Sequence, residues 1–398
     1  MKLKCQPEDF QVTELTCRVP CEHGPFALYR LTKRSLGTPE AVDAILQRWN
    51  LARSQVSYGG LKDRHAVTTQ FVTIKNGPRR GLEQTNLELE YIGQTDHPIE
   101  AADIAGNHFT LVMRNMTDEE VAFAKQALVE IAADGLPNYF DDQRFGSLGQ
   151  SGEFIAVPWC RGDYERALWL ALAEANEHDR PNDRADKQLL RDRWRDWLGL
   201  KAALPRSSRR SIVTYLCDHP SDFRRALARS DLRGLWLSAF QSAVWNRLLA
   251  ATLQDVCRRE QLFEVSFHER PAPFFRSLDL PQRHELLTLR LPLPSARLKL
   301  NEGPLLERLR GVLAEFALEP RTMRIKYPRD AFFSKGQRDA VYIPAGLQNE
   351  ADEDELYLGR QKLLLTFELP RGAYATILVK RLTLDRQAEM TDQQDDQR

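Results

Sequence analysis

An α+β fold in which one domain is inserted into another is the architecture this sequence predicts. Three observations carry it: strand-like runs lie near both ends of the 398-residue chain, helical patterns fill the middle, and the character changes near residues 150 and 320. On that reading residues 1–150 and 320–384 build one sheet domain, residues 151–319 form the insertion, and residues 385–398 are an acidic, disordered tail.

The elements follow from local pattern. FQVTEL (10–15) alternates apolar and polar residues, the signature of a half-buried strand. TPEAVDAILQRWN (38–50) reads as a helix with Thr38 as N-cap, Pro39 at the first helical position, and Val42, Ile45, Leu46 and Trp49 on one face. A turn at Gly59-Gly60 precedes the strand QFVTIK (70–75), and HFTLVMR (108–114) is another strand. Residues 117–135 form a helix opened by a Thr117/Glu120 capping box and closed by Gly135 and Pro137. From 150 to 235 the pattern is mostly helical, residues 236–259 and 304–318 are helices, and the Pro-rich stretch 271–304 reads as irregular. Strand patterns return in AVYIP (340–344), KLLLTFELP (362–370) and YATILVKRLTL (374–384).

Composition narrows the function. Lys plus Arg and Asp plus Glu number 56 each, so bulk positive charge does not drive binding, although a local basic groove remains open. Residues 178–233 hold fourteen Lys or Arg against eight Asp or Glu, whereas the loop NEADEDE (349–355) and the tail are acidic. Six cysteines at 5, 17, 21, 160, 217 and 257 fit free thiols, because Cys17, Cys21 and His23 lack a second pair at zinc spacing. The start has no apolar signal region and no run approaches about 18 apolar residues, so a soluble cytoplasmic protein is expected. GxxxxGK[ST], GxGxxG, HExxH and GxSxG are all absent. What remains is carboxylate or acid/base chemistry without metal or cofactor.

Asp63 is the leading carboxylate. It follows two glycines in YGGLKDRHAVTTQ (58–70) and is crowded by Lys62, Arg64 and His65, as a site for an anionic substrate would be. KCQPEDF (4–10) places Lys4, Glu8 and Phe10 at the head of a strand, and GNHFT (106–110) places Asn107 and Phe109 on one strand face. NYFDDQRFG (138–146) combines aromatics with Asn138, Gln143 and Arg144, and Tyr374 follows Gly372 near the end. Aromatics interleaved with amides and cations suit an unstacked base: the ring stacks, the amide reads an edge and the cation holds a phosphate. Each such aromatic taken singly is more simply a core residue.

Six segments together go further. KCQPEDFQVTE, GLKDRHAVTTQ, GNHFTL, PNYFDDQRFG, SAFQSAVWNRLLA and LPRGAYATILVKRL, spread from residue 4 to 382, make the sequence resemble the TruD family of tRNA pseudouridine synthases. The resemblance implies a mixed, largely antiparallel catalytic sheet of the pseudouridine synthase type with an inserted, mostly helical α+β RNA-binding domain. It also implies a cofactor-free isomerisation of uridine to pseudouridine, typically at position 13 of tRNA. By that resemblance Asp63, Lys4 and Glu8 fall at catalytic positions and Phe10, Asn107, Phe109 and Tyr374 at substrate-binding ones; Lys62, Arg64, His65, Asn138, Gln143 and Arg144, from the same charged and aromatic segments, are expected to contact the substrate as well. The sequence departs from the family's pattern at His108 and at Asp141-Asp142, and its middle domain is longer than in compact members.

The mechanism expected from these matches flips the uridine out of its stack, at a cost of a few kcal/mol. Phe109 stacks on the flipped base, worth roughly 1–3 kcal/mol. Asn107 bonds a base edge or orients the aspartate loop, and Lys4 or Arg64 favours ionised Asp63. The arginines of the insertion supply a second wall of a basic cleft that positions tRNA through its phosphates, and the protein acts as a monomer. Two other classes fit less of the sequence: an RNA-folding helper, which has no need of Asp63, and a glycoside hydrolase, which normally needs a second paired acid.

Overall fold

The structure, a computed structural model, describes residues 1–383, so the predicted acidic tail lies outside the described residues. The chain divides into two compact units, one built from Met1–Leu136 and the chain from Ile343 onward, the other from Pro137–Tyr342. The inserted unit therefore begins ahead of residue 151 and ends beyond 319. Hydrogen bonds explain the shift: the Asn138 N–H donates to the Ala340 carbonyl at 2.9 Å, and Arg338 Nε donates to the Asn138 carbonyl at 2.8 Å. The two ends of the insertion are thus tied to each other.

The first unit is a nine-stranded sheet. Its strands are β1 (Phe10–Thr16), β2 (Phe26–Arg34), β3 (Val56–Tyr58), β4 (Val67–Lys75), β5 (Leu82–Gln84), β6 (Leu87–Thr95), β7 (Ile104–Met116), β8 (Ala345–Glu353) and β9 (Gln361–Pro370). The order is β8-β9-β7-β1-β4-β2-β6-β5, with β3 on β4. Only β1 and β4 pair in parallel; β1 with β7, β7 with β9 and β2 with β4 and β6 are antiparallel. Helices α1 (Thr38–Trp49), α2 (Asp118–Asp134) and α3 (Ala375–Leu382) complete the unit. Ala41, Val42 and Ile45 of α1 pack on Ala27, Tyr29 and Leu31 of β2 and on Val72 and Ile74 of β4. Each fully buried Val, Leu or Ile side chain of this cluster contributes roughly 1.5–3 kcal/mol.

Local signals set most boundaries. The Thr117/Glu120 capping box forms and Gly135 ends α2 with φ 81°, a conformation that favours glycine. Thr38, however, is not the N-cap of α1: Gly37 is, and the buried Thr38 hydroxyl donates instead to Gln70 Oε1 at 2.8 Å. YATILVKRLTL forms α3 rather than a strand, because Ile377, Leu378, Arg381 and Leu382 bury one helical face, and a short apolar run does not by itself distinguish the two periods. The acidic run 349–355 is not a loop, since residues up to Glu353 belong to β8 and Asp354 is buried against Arg114. AVYIP contributes only the two-residue strand Val341–Tyr342.

The inserted unit is mostly helical. Its longest helix, Arg233–Val256, buries Phe240, Val244, Trp245 and Leu248. The Pro-rich stretch is more regular than its composition suggests, with strands Ala272–Phe275 and Arg290–Pro292 around the helix Leu280–Thr288. No helix among the described residues is long and apolar enough to cross a membrane.

Candidate active site

Parallel pairing of β1 with β4 brings the segments preceding both strands to the same edge of the sheet. There Lys4 Nζ lies 2.9 Å from Asp63 Oδ2, with each side chain about one-third exposed. The other carboxylate oxygen makes no hydrogen bond among the described residues. Lys4 holds φ 54°, unusual for a non-glycine residue, and its ammonium lies 3.9 Å from the centre of the Phe10 ring. The Phe10 ring meets the Phe109 ring edge-on at 6.2 Å, and Phe109 stacks on Phe367 at 5.4 Å. Phe10 and Phe109 are only 6% and 7% exposed, so direct stacking of a base on either ring needs that ring uncovered.

Asp63 sits in the irregular segment 59–66 between β3 and β4. Regular backbone pairing does not hold such a segment, so other groups must. Gln70 Nε2 donates to the Gly60 carbonyl at 3.2 Å, and the Lys62 N–H donates to Thr38 Oγ1 at 3.0 Å. Lys33 Nζ donates to the carbonyls of Asp63 at 2.8 Å, Leu36 at 2.6 Å and Lys62 at 3.4 Å. Lys62 Nζ reaches back over the sheet to Asn107 Oδ1 at 2.6 Å and to Glu14 Oε1 at 3.0 Å, while Glu14 Oε2 accepts the Phe71 N–H at 2.9 Å. Gly59 passes so close to β7 that a Cβ there would lie 2.5 Å from Ile104 Cγ1, whereas Gly60 faces open space.

Thr38, Gln70, Lys33 and Glu14 are all buried, and the sequence reading singled out none of them for the site. Their signal was nevertheless present. Lys33 continues the buried phase Ala27-Tyr29-Leu31, Glu14 continues Phe10-Val12, and Gln70 continues Val72-Ile74. A polar residue in the apolar phase of a strand must find a buried partner. Burial also pushes the Lys33 ammonium down from the ordinary lysine range to about 8, although Asp63 and Glu40 pull it back up.

The other predicted site residues divide. Lys4, Phe10, Lys62, Asn107 and Phe109 gather with Asp63 through the contacts above. Glu8 pairs with Arg34, whose guanidinium holds its carboxyl below the usual range. Arg64 pairs with Glu40 of α1 at 2.6 Å rather than with Asp63, and His65 is exposed. Tyr374 is half-buried at the N-cap of α3. Asn138 lies in the inserted unit with its amide committed there, Nδ2 donating to the Asp339 carbonyl at 2.9 Å and Oδ1 accepting from Arg338. Gln143 and Arg144, also in that unit, line a cavity of about 350 Å³ of mixed character, with Lys187 and Arg209 as well as Leu170, Leu235 and Trp236.

Comparison with known proteins identifies the family of the chain. The family model described as tRNA pseudouridine synthase D (TruD) matches residues 1–382. The chain is 29% identical to a probable tRNA pseudouridine synthase D 2 of Methanocaldococcus jannaschii, over 96% of this chain and 92% of that one. It is 28% identical to the tRNA pseudouridine synthase D of Aquifex aeolicus, over 96% and 98%. A crystal structure of the putative tRNA pseudouridine synthase D from Methanosarcina mazei superposes with a TM-score of 0.72 at 25% identity, covering 96% of this chain and 92% of that one. With residues 1–382 matched and the same fold in a solved member, the chain belongs to the TruD family of tRNA pseudouridine synthases.

Proposed function

We propose that this protein converts uridine to pseudouridine in tRNA, at position 13, with Asp63 as the reacting carboxylate. One observation carries the assignment of Asp63: Lys4 holds one carboxylate oxygen at 2.9 Å and leaves the other uncommitted, at an edge lined by aromatic rings. A flipped uridine offers its ribose to that second oxygen. The carboxylate either adds at C1′ or removes a ribose proton, and either route breaks the N-glycosidic bond. The freed uracil turns and rejoins through C5, which then gives up its proton. The Phe10 and Phe109 rings, uncovered as the substrate enters, supply an apolar wall that retains the loose base. The preformed anchoring of segment 59–66 places the carboxylate before the substrate arrives, which lowers the entropic part of the barrier. The inserted unit binds tRNA through its phosphates, and the enzyme works as a cytoplasmic monomer.

Wild-type protein and an Asp63→Asn variant, incubated with unmodified tRNA transcripts, test the reading when pseudouridine is mapped by mass spectrometry. The wild type is expected to modify position 13 and the variant to give no product. Product from Asp63→Asn at the wild-type rate removes Asp63 from the chemistry, and product at another position corrects the target. Lys4→Met is expected to slow single-turnover chemistry roughly 10²-fold while weakening tRNA binding far less; an unchanged rate assigns Lys4 a purely structural part.

A further inference from the structure

Much of the arginine excess of the inserted unit is neutralised within that unit. Arg193 pairs with Asp196, Arg195 with Glu165, Arg209 with Asp183 and Arg225 with Asp222. Of the cations left unpaired, four are gathered at one place. Arg297, Arg324, Lys326 and Arg329 line one cavity of about 370 Å³ that has no Asp or Glu in its lining. All four are exposed, and none makes an ion pair among the described residues. The neighbouring carboxylate, Asp330, is turned to Arg233 at 3.0 Å. Phe332 belongs to the same lining and is 57% exposed, with the Arg297 guanidinium 5.9 Å from its ring centre.

Both features are unfavourable in the free protein. Like charges gathered in a concavity repel and focus a positive potential, and a large exposed ring keeps apolar surface in water. A ligand that removes both costs carries negative charge and a flat ring. The cavity has the volume of roughly a dozen waters, more than a bare anion fills. A strand of nucleic acid has phosphates at regular spacing and a base with a π-face beside each one, which suits cations around an exposed aromatic.

We propose that this cavity is an RNA subsite of the inserted unit: its cations hold a backbone phosphate of the tRNA, and Phe332 stacks on the adjoining base of a nucleotide other than the reacting uridine. The assignment rests on tRNA being the substrate. The site adds affinity and register rather than chemistry.

The test compares the full-length wild type with a Lys326→Gln/Arg329→Gln/Phe332→Ala variant, measuring tRNA affinity between roughly 50 and 200 mM salt. Loss of two phosphate contacts is expected to flatten the log–log salt dependence by about 1.4–1.8. Loss of the ring is expected to weaken binding about tenfold, with Phe332→Tyr retaining most of the affinity. In turnover the loss is expected to fall on KM more than on kcat. Unchanged affinity and salt slope overturn the proposal. So does a variant that loses only competition by inorganic phosphate, or only co-sedimentation with phosphatidylserine vesicles, while tRNA affinity stays intact. If the wild type makes no pseudouridine in tRNA but the variant still shows the altered salt slope, the catalytic reading fails and the subsite stands.

Discussion

Lys33 shows how much a single side chain contributes to a loop that lacks secondary structure. Its ammonium satisfies three carbonyls at once, two of them in the backbone of Lys62 and Asp63. Burial lowers its affinity for the proton to about 8, while Asp63 and Glu40 support the charge and Lys62 opposes it. A lysine whose folded value is lowered binds fewer protons folded than unfolded between about 8 and its ordinary value near 10.4. Stability therefore rises with pH across that window, while the grip on the Asp63 segment weakens. Turnover is expected to fall as pH rises through about 8 without loss of fold, and Lys33→Arg, which stays charged, is expected to flatten that limb. Lys33→Met is expected to cut kcat by roughly 10- to 100-fold with little change in tRNA affinity, measured by single-turnover kinetics and filter binding. An alkaline limb that persists unchanged in Lys33→Arg assigns the titration elsewhere. Asp63 and Lys4 were legible in the sequence because their motifs are local; Lys33, Glu14 and Gln70 were marked only by their strand phase, which carries meaning once the buried face is known.

At the scale of elements, the strand β7 organises the sheet unit. It pairs with β1 on one side and β9 on the other, and its Arg114 is 2% exposed. Arg114 donates to Asp9, Asp354 and Glu355, each at 2.9 Å, so it fastens the head of β1 and the turn after β8 to one point. The Lys2 N–H and carbonyl bridge the Arg114 backbone, which steadies the segment that carries Lys4. Burial alone would raise the Asp354 carboxyl, but the N–H groups of Asn115 and Leu356 and the Arg114 guanidinium outweigh it and leave it below the ordinary range. Arg114 and Lys362 hold Glu355 at about 2. Carboxyls lowered in this way supply stability above the ordinary carboxylate range near pH 4 and lose it as pH falls toward 2. Arg114→Met is expected to cost about 3–5 kcal/mol at neutral pH, chiefly because Asp9 and Asp354 are left buried without their cation. The difference from wild type is expected to shrink below pH 4, as thermal unfolding followed by circular dichroism will show. A constant difference down to pH 2 separates the acid loss from this cluster. The sequence displayed the acidic run but not its use, since the partner is more than 200 residues away.

For the whole molecule the governing fact is that the sheet unit is assembled from two stretches of chain with an insertion between α2 and β8. The insertion begins and ends in residues bonded to each other, Asn138 to Ala340, so its excision leaves a short gap. A chain in which Leu136 is joined to Ile343 by a short Gly/Ser linker is expected to fold with native circular dichroism and a cooperative melt. An unfolded product assigns the insertion a structural part in the sheet. Local periodicity determined the strand-rich ends, the helical middle, β1, α1, α2 and the long helix, and six motifs determined the family, because each depends on residues close in sequence. Tertiary structure decided that YATILVKRLTL is a helix, that Arg64 belongs to Glu40, and that four buried polar side chains fix the Asp63 segment. The reason is physical: a short apolar run fits two periodicities, and a charged side chain pairs with whichever counter-charge the fold brings near. Only the packed sheet supplies the burial that chooses the first and the neighbours that choose the second.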